Sequence, residues 1–345
     1  MRARVVDWAL FALILFEVLS GLGSFLVGRP EGRAIFVVHG VLGLSMLLLL
    51  ALKFRRVYAR VAEPRRWRPA TLVAVLAAGS ALAAIALGVV WTALQRPVDY
   101  PSGMILHTTL GLLLLAFAIW HMALRFKPPT RRDVRDRRSV LGLLAALAVG
   151  GGLWAAQQSA VRLLDAPGAR RRFTGSRATG EDGVFPVTMW MFDNPAPLDG
   201  DGWSLRVGGA VDRPFTLQLA QVAGLAGDAL EATLDCTGGW YTTQRWQGVR
   251  VAALLDQAGV RPEARYVRFR SVTGYRWSLP LAEARAALLA THVGGEPLSH
   301  GHGAPLRLVA PGRRGFQWVK WVVEVEVLTE RDAGQWTAIF VSGLG

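Results

Sequence analysis

Residues 234–260 read LDCTGGWYTTQRWQGVRVAALLDQAGV and contain Cys236, the only cysteine among 345 residues. A lone cysteine cannot close an internal disulfide, and without a CxxC pair it does not mark a zinc site. Two glycines and a tryptophan follow it, then W-Q-G-V, then the short helical pattern VRVAALLDQAG. Around this stretch lie β-rich runs: WSLRVGGAV (203–211), RYVRFRSVTG (265–274), YRWSLPL (275–281), APLRLVAP (304–311) and WVKWVVEVEVL (318–328). A second helical pattern, LAEARAALLAT, covers 281–291. Strand-like runs mixed with short helices predict a mixed α+β domain.

A cysteine at a strand end, then Gly/Trp, W-x-G-V and a Leu-rich helix resembles the cysteine segment of the sulfite oxidase and methionine sulfoxide reductase superfamily. Residues 294–327, GGEPLSHGHGAPLRLVAPGRRGFQWVKWVVEVEV, resemble the same family's H-G-x-P-x-R-x-x-x-P-G…V-K-W segment. The resemblance implies a domain that binds a molybdenum molybdopterin. It implies Cys236 as the protein's sulfur ligand to molybdenum, and a soft thiolate suits that metal. The alternative for an isolated cysteine is a buried structural thiol. The resemblance further implies that Arg307 and Lys320 hold the pterin phosphate, a guanidinium fork and a point charge on one dianion. His302 matches a cofactor-contacting position, Ser271 falls where relatives place a Thr near the pterin, and Trp318 and Val319 offer backbone contacts. His292 and His300 read as loop or surface residues. Two departures bear on the substrate. Sulfite oxidases follow their cysteine with an A-G-N-R-R type run, where this chain has T-G-G-W-Y, closer to the reductase. Yet FPVTMWMFDNP (185–195) does not reproduce the reductase's Asn- and Tyr-containing contact.

The first half of the chain is of another kind. Apolar runs at 5–27, 34–52, 70–94, 103–124 and 139–156 are long enough to span a bilayer as helices. The net charge of +14 suggests nucleic acid until its distribution is read: residues 1–138 carry 19 Lys+Arg against 7 acids, and the remainder is nearly balanced. Arg2, Arg4 and two loops of seven basic residues alternate with loops holding only Arg29, Arg33 and Arg96. By the positive-inside rule the N-terminus is cytoplasmic and the C-terminal domain lies outside, periplasmic or extracellular, at a bacterial cell membrane. The fifth run follows Arg137 and Arg138 in DRRSVLGLLAALAVGG, which resembles a twin-arginine export signal read by its translocation machinery. Arg pairs are also ordinary at the inner end of a span.

Three histidines lie in the spans, and ionisable groups there are functional candidates. His39 and His107 fall at one depth near the outer face and are positioned to ligate a heme b iron from opposite sides. The alternative is that they pack helices together. His121 is 14 residues after His107, ~21 Å deeper by helical rise, with no inner histidine on span two to join it. One heme is therefore expected, with His121 unpaired or capping a helix end. Glu17 is open to two roles, proton movement or a hydrogen bond inside the bundle.

The fold expected is a membrane all-α bundle of four spans and a fifth signal-anchor-like span, followed by a mixed α+β sulfite-oxidase-like molybdopterin domain. The boundaries are 1–125 for the heme b domain, 126–160 for the basic loop and fifth span, 161–183 for a linker and 184–345 for the molybdopterin domain. The expected function is oxygen-atom transfer on a small molecule, reduction of an S-oxide or N-oxide, with the heme drawing on a quinone pool or a flavoprotein. The reductase this domain resembles works with a separate heme-bearing membrane subunit, and here the two are fused. The alternatives are an oxidase running the other way, from a sulfite-like donor to heme, and a non-enzymatic membrane-anchored binding or sensory module.

Overall fold

Alanine, leucine and valine fill the first five helices, and Lys and Arg carry helices past the apolar runs because unbranched side chains lose little freedom in a helix. In the computed structural model the helices are α1 (Ala3–Ser24), α2 (Ala34–Val61), α3 (Pro69–Leu94), α4 (Gly103–Arg125) and α5 (Arg137–Leu163). All five are long and apolar enough to cross a membrane by length and composition. The ends of α2 and α5 lie 9 and 7 residues beyond the apolar runs at 34–52 and 139–156, because hydropathy locates the greasy segment and not the helix end. The structure describes residues 1–94, 102–130, 133, 136–180, 183–189, 193–198 and 202–344. Arg96, part of the basic loop before α5 and part of the 185–195 stretch lie outside these.

The chain forms two compact units, Met1–Arg177 and Ala178–Gly345. In the first, small residues such as Ala81, Ala84 and Ser80 are buried while Phe16, Leu19, Leu82, Ile119 and Trp120 face outward. One half of the bundle is filled by Val6, Leu10, Met46, Leu49 and Leu114. That end is tied by polar contacts: Lys53 to Asp7 at 2.9 Å, and the Arg2 amide donating to Ser139 Oγ at 3.1 Å. The other half is hollow. After α5 the chain turns through a 3-10 helix, Pro167–Arg170, and lies back across that half, with Phe173 edge-on to Phe36 at 5.8 Å.

In the second unit, two sheets are built from β2 (Ser204–Gly209), β3 (Phe215–Gln218), β4 (Asp228–Cys236), β5 (Trp240–Arg250), β6 (Tyr266–Ser271), β7 (Arg276–Pro280), β8 (Leu288–Val293), β9 (Glu296–Pro297), β10 (Arg307–Val309) and β11 (Val322–Leu328). A two-residue strand, β1 (Arg177–Ala178), lies at the boundary of the units. Among the described residues, one sheet runs β5-β8-β10, with β4 on the other edge of β5 and β9 on β8. The second sheet runs β3-β2-β11-β6-β7, and only its β2–β11 pair is parallel. Short helices α6 (Leu219–Leu225), α7 (Val251–Ala258), α8 (Leu281–Ala286) and α9 (Gln335–Val341) cover them. The helical pattern expected over 281–291 divides: 281–286 is α8, and 288–293 is β8. Leu288, Leu289 and Ala290 are fully buried between β5 and β10, and a strand enclosed on both faces loses the alternation that would have marked it. His292, read from sequence as loop or surface, therefore lies in β8.

Candidate molybdopterin site

The β4–β5 hairpin carries the cysteine. Its register pairs Asp235 with Tyr241 and Cys236 with Trp240, so Cys236 is the last residue of β4 at the mouth of the turn. The thiol is buried, Sγ accepts from the Gly238 amide at 3.3 Å, and Thr188 Oγ1 lies 3.8 Å away. Burial pushes the thiol up from its ordinary value. The strand end is braced from behind by Arg314, whose Nη2 donates to the Cys236 carbonyl at 3.3 Å and lies 3.6 Å from the Asp235 carboxylate. Both members of that ion pair are buried.

Arg307 rises from β10 into the interior. Its guanidinium lies over the rings of Trp246 and Trp318, at 5.1 and 5.8 Å, and Nη1 donates to the His302 carbonyl at 3.0 Å. Its Nε is buried without a partner among the described residues. Lys320 Nζ donates to the carbonyls of Thr188 and Gly301, at 2.8 and 2.6 Å. Among the described residues neither cation has a carboxylate within ion-pair distance. Burial pushes Arg307 down to about 9, and burial followed by Arg307 pushes Lys320 down to about 7. Two cations sharing a dehydrated site without a counter-ion are unfavourable unless an anion completes it. Gly303, at φ 105°, keeps the space between them clear, since a Cβ there would stand 3.0 Å from Lys320 Cβ and 3.1 Å from Arg307 Cβ. The set fits a phosphorylated pterin: Cys236 for a soft metal, Arg307 and Lys320 for the phosphate.

The other sequence-expected residues take supporting places. His302 is held on both ring nitrogens, Nδ1 by Ser299 Oγ at 3.0 Å and Nε2 by the Phe185 carbonyl at 3.1 Å. Burial, with Arg307 next, holds it neutral, pushed down to about 4. Its carbonyl is what meets Arg307. Ser271 caps the turn after β6, its Oγ accepting from Thr273 N and Thr273 Oγ1. Thr273 in turn bonds Asp193, whose carboxyl burial raises and whose charge acts on Lys320. The Val319 carbonyl is taken by Leu308 N at 2.8 Å, and Trp318 donates Nε1 to the Arg313 carbonyl. Thr188, Asp235, Arg314 and Gly303 were not singled out from sequence. Thr188 connects the thiol to Lys320 through its hydroxyl and its carbonyl, 48 and 132 residues apart in the chain, and no local pattern signals such a meeting.

Residues 193–336 match the family model of the oxidoreductase molybdopterin binding domain. The chain is 35% identical over 155 residues to the uncharacterized oxidoreductase YuiH of Bacillus subtilis, a match covering 44% of this chain and 78% of YuiH. The chain belongs to the molybdopterin-binding oxidoreductase family. It is accordingly a molybdenum-dependent oxidoreductase of the sulfite oxidase and MsrP type. It is also 32% identical over 152 residues to the protein-methionine-sulfoxide reductase catalytic subunit MsrP of Xanthomonas axonopodis pv. citri, covering 39% of this chain and 47% of that one. Mitochondrial sulfite oxidase of Rattus norvegicus is 33% identical over 175 residues, 41% of this chain and 32% of the enzyme. The chain thus spans about half of MsrP and a third of sulfite oxidase.

The first unit has a candidate site of its own. A cavity of about 480 Å³ opens in the hollow half of the bundle, with His39 from α2 and His107 from α4 in its wall. Their ring centroids are 5.9 Å apart, with planes at 76°. His39 Nδ1 is held by Ser20 Oγ at 3.0 Å and Glu17 Oε2 at 3.2 Å, and His107 Nδ1 by the Ala84 carbonyl at 2.8 Å. Among the described residues Nε2 of each ring has no partner. Glu17 Oε1 is buried without a partner among the described residues. The separation suits two imidazoles on either side of one metal ion at ~2 Å from each nitrogen. Gly21 and Gly88 leave room for the rings, since a Cβ on either would touch the facing histidine at 3.4 and 3.3 Å. His121 is elsewhere, its Nδ1 on the Ala70 carbonyl at 3.1 Å.

Proposed function

We propose that this chain is a membrane-anchored molybdopterin enzyme that reduces an S-oxide or N-oxide at the outer face of a bacterial membrane, with electrons arriving through one heme b. The observation that carries the fusion of the two roles is the His39–His107 pair, each oriented through Nδ1 with Nε2 left open, in the wall of an apolar cavity large enough for a cofactor. The outward-facing Phe16, Leu19, Ile119 and Trp120 support lipid around the bundle, since small residues bring membrane helices together and large ones meet the acyl chains. The boundaries read from sequence, the orientation from positive loops and the export signal at Arg137 and Arg138 belong to the same proposal. The electron partner is a quinone pool or a flavoprotein.

The bound cofactor supplies two-electron chemistry at molybdenum. The chain's own residues then do identifiable work. Cys236 offers a sulfur at the end of a rigid hairpin, and the buried Asp235–Arg314 pair holds that end in place. Arg307 and Lys320 would hold the phosphate of the pterin, and Cys236 would offer its sulfur to the metal. Trp240, donating Nε1 to Thr188 Oγ1 at 3.3 Å, holds the Thr188 segment beside the thiol.

The test is a substrate screen on the purified holoprotein with the heme reduced beforehand. Sulfoxides or N-oxides should oxidise the heme, seen at its Soret band, and Cys236→Ser should abolish that while retaining pterin. Heme reduction by sulfite, with no response to any oxide, would reverse the direction of electron flow. A stably folded protein containing neither molybdenum nor heme would return it to the binding-module class.

A further inference from the structure

We propose that the arginine-rich end of the helix cavity is a dicarboxylate site that grips the two propionate side chains of the porphyrin, with Arg171 as its fixed element. The inference rests on the heme reading and goes beyond it, because it assigns residues outside the spans and sets which edge of the macrocycle faces which end of the bundle.

The charged side chains in the cavity wall are unevenly distributed. Glu17 lies beside His39, and it is the one carboxylate in the wall among the described residues. Arg33, Arg162, Arg171 and Arg172 line the opposite end. Arg33 stands six residues before His39, ~9 Å along the axis by helical rise. Arg171 is half-buried and held by neutral oxygens: the Thr92 carbonyl at 3.1 Å, the Gly168 carbonyl and Gln158 Oε1. None of Arg33, Arg162 and Arg171 has a carboxylate within ion-pair distance among the described residues. Burial, followed by the charge of Arg162, pushes Arg171 down from its ordinary value. Like charges gathered around an apolar cavity require an anion.

The segment that supplies this end is built to stay. After Pro167–Arg170 the chain lies across the bundle, anchored by Arg172 Nη2 on the Gly28 carbonyl at 2.9 Å and by Trp91 Nε1 on the Gly175 carbonyl at 3.0 Å. Gly168 lies directly on α3, where a Cβ would meet the Thr92 carbonyl at 1.9 Å. Arg171 is therefore presented by a docked strap. A ligand for such a cavity is flat and apolar, offers a metal to two imidazoles and bears carboxylates along one edge. Protoheme has this shape, and guanidinium forks match carboxylates two bonds at a time.

The experiment uses the full chain in detergent, grown without heme and reconstituted in parallel with hemin and with hemin dimethyl ester, whose carboxylates are blocked. The readout is the rate of porphyrin loss to excess apomyoglobin. Wild type should retain hemin about tenfold longer than the diester, the value of one charge-assisted contact. Arg171→Gln should bring hemin down to the diester rate and leave the diester unchanged. Arg33→Gln, at an exposed position that does not brace the strap, should shift hemin the same way by a smaller factor. Equal retention of the two porphyrins by wild type, or equal weakening of both by Arg171→Gln, overturns the proposal. If wild type takes up neither porphyrin, or His39→Ala keeps a bis-imidazole spectrum, the heme reading itself falls and the proposal with it.

Discussion

Lys320 offers a test of the anionic cofactor that needs no substrate. Burial and Arg307 push its ammonium from 10.5 down to about 7 in the folded chain. Between those two values the unfolded chain binds a proton that the folded chain does not. The stability of the cofactor-free protein therefore rises with pH through this window and is lowest below it. The full shift corresponds to ~5 kcal/mol at ~1.4 kcal/mol per unit. Lys320 is partly exposed, and screening by water leaves about half of that, ~2–3 kcal/mol. For a unit of this size ~1 kcal/mol moves Tm by ~2–4 °C. Going from pH 7 to pH 9 should then raise the second unit's transition by ~3–6 °C more in the wild-type chain than in Lys320→Met, which lacks the titrating group. With the phosphate dianion bound, Lys320 keeps its proton across the same range and the excess slope vanishes. The assay is calorimetry of the full chain in detergent, produced with and without molybdopterin synthesis. If the cofactor-free wild type shows no more pH dependence than Lys320→Met, the ammonium is not buried as described. If holo and cofactor-free chains share the slope, no anion meets Lys320.

Other expectations follow from single contacts. Asp235→Asn removes the carboxylate charge that faces the buried Arg314, a loss of ~3–5 kcal/mol, and the second unit should melt ~6–20 °C lower in calorimetry; no change in Tm would show that the pair does not brace the cysteine strand. Replacing Arg137 and Arg138 with Lys keeps the charge and removes the arginine pair, so protease added to spheroplasts should no longer reach residues 160–345; continued cleavage would remove the export-signal reading. His39→Ala and His107→Ala should each abolish the b-type spectrum and His121→Ala should preserve it, at one heme per chain by pyridine hemochrome; loss of the heme in His121→Ala would overturn the pairing.

Much of the fold was legible because its signals are local. Apolar runs of bilayer length mark α1 to α5, and period-two runs mark β2, β6, β7 and β11. Where the signal failed, a competing one had taken over. Arg55, Arg56 and Arg60 end the apolar run of α2, and the helix continues through them because arginine is a good helix former. Leu288–Ala290 reads as helix because a strand buried on both faces has no polar face to alternate with. The candidate site divides in the same way. Cys236, Arg307 and Lys320 lie in segments whose residue order carries a family resemblance. Thr188, Arg314 and Gly303 matter only through what lies across from them in space.

Arg307 shows why the charge pattern is informative beyond the resemblance. An arginine inside an otherwise apolar strand is unfavourable to fold, and no carboxylate among the described residues relieves it. The fold encloses the guanidinium between Trp246 and Trp318 and leaves Nε without a partner among the described residues. Lys320, brought close by the clearance at Gly303, adds a second cation to the same interior. A core selected for stability alone would hold leucine or methionine at these places, since apolar residues replace buried charges at no loss or at a gain. The cofactor-free fold therefore carries a destabilisation that only a bound anion removes, and the same physics makes cofactor binding and folding of this unit mutually reinforcing. In the proposed heme site the helix cavity follows the same logic, with two imidazoles and with Arg33, Arg162 and Arg171 facing no carboxylate within ion-pair distance among the described residues. In both units the residues that least suit an empty interior are the ones on which the proposed guest rests.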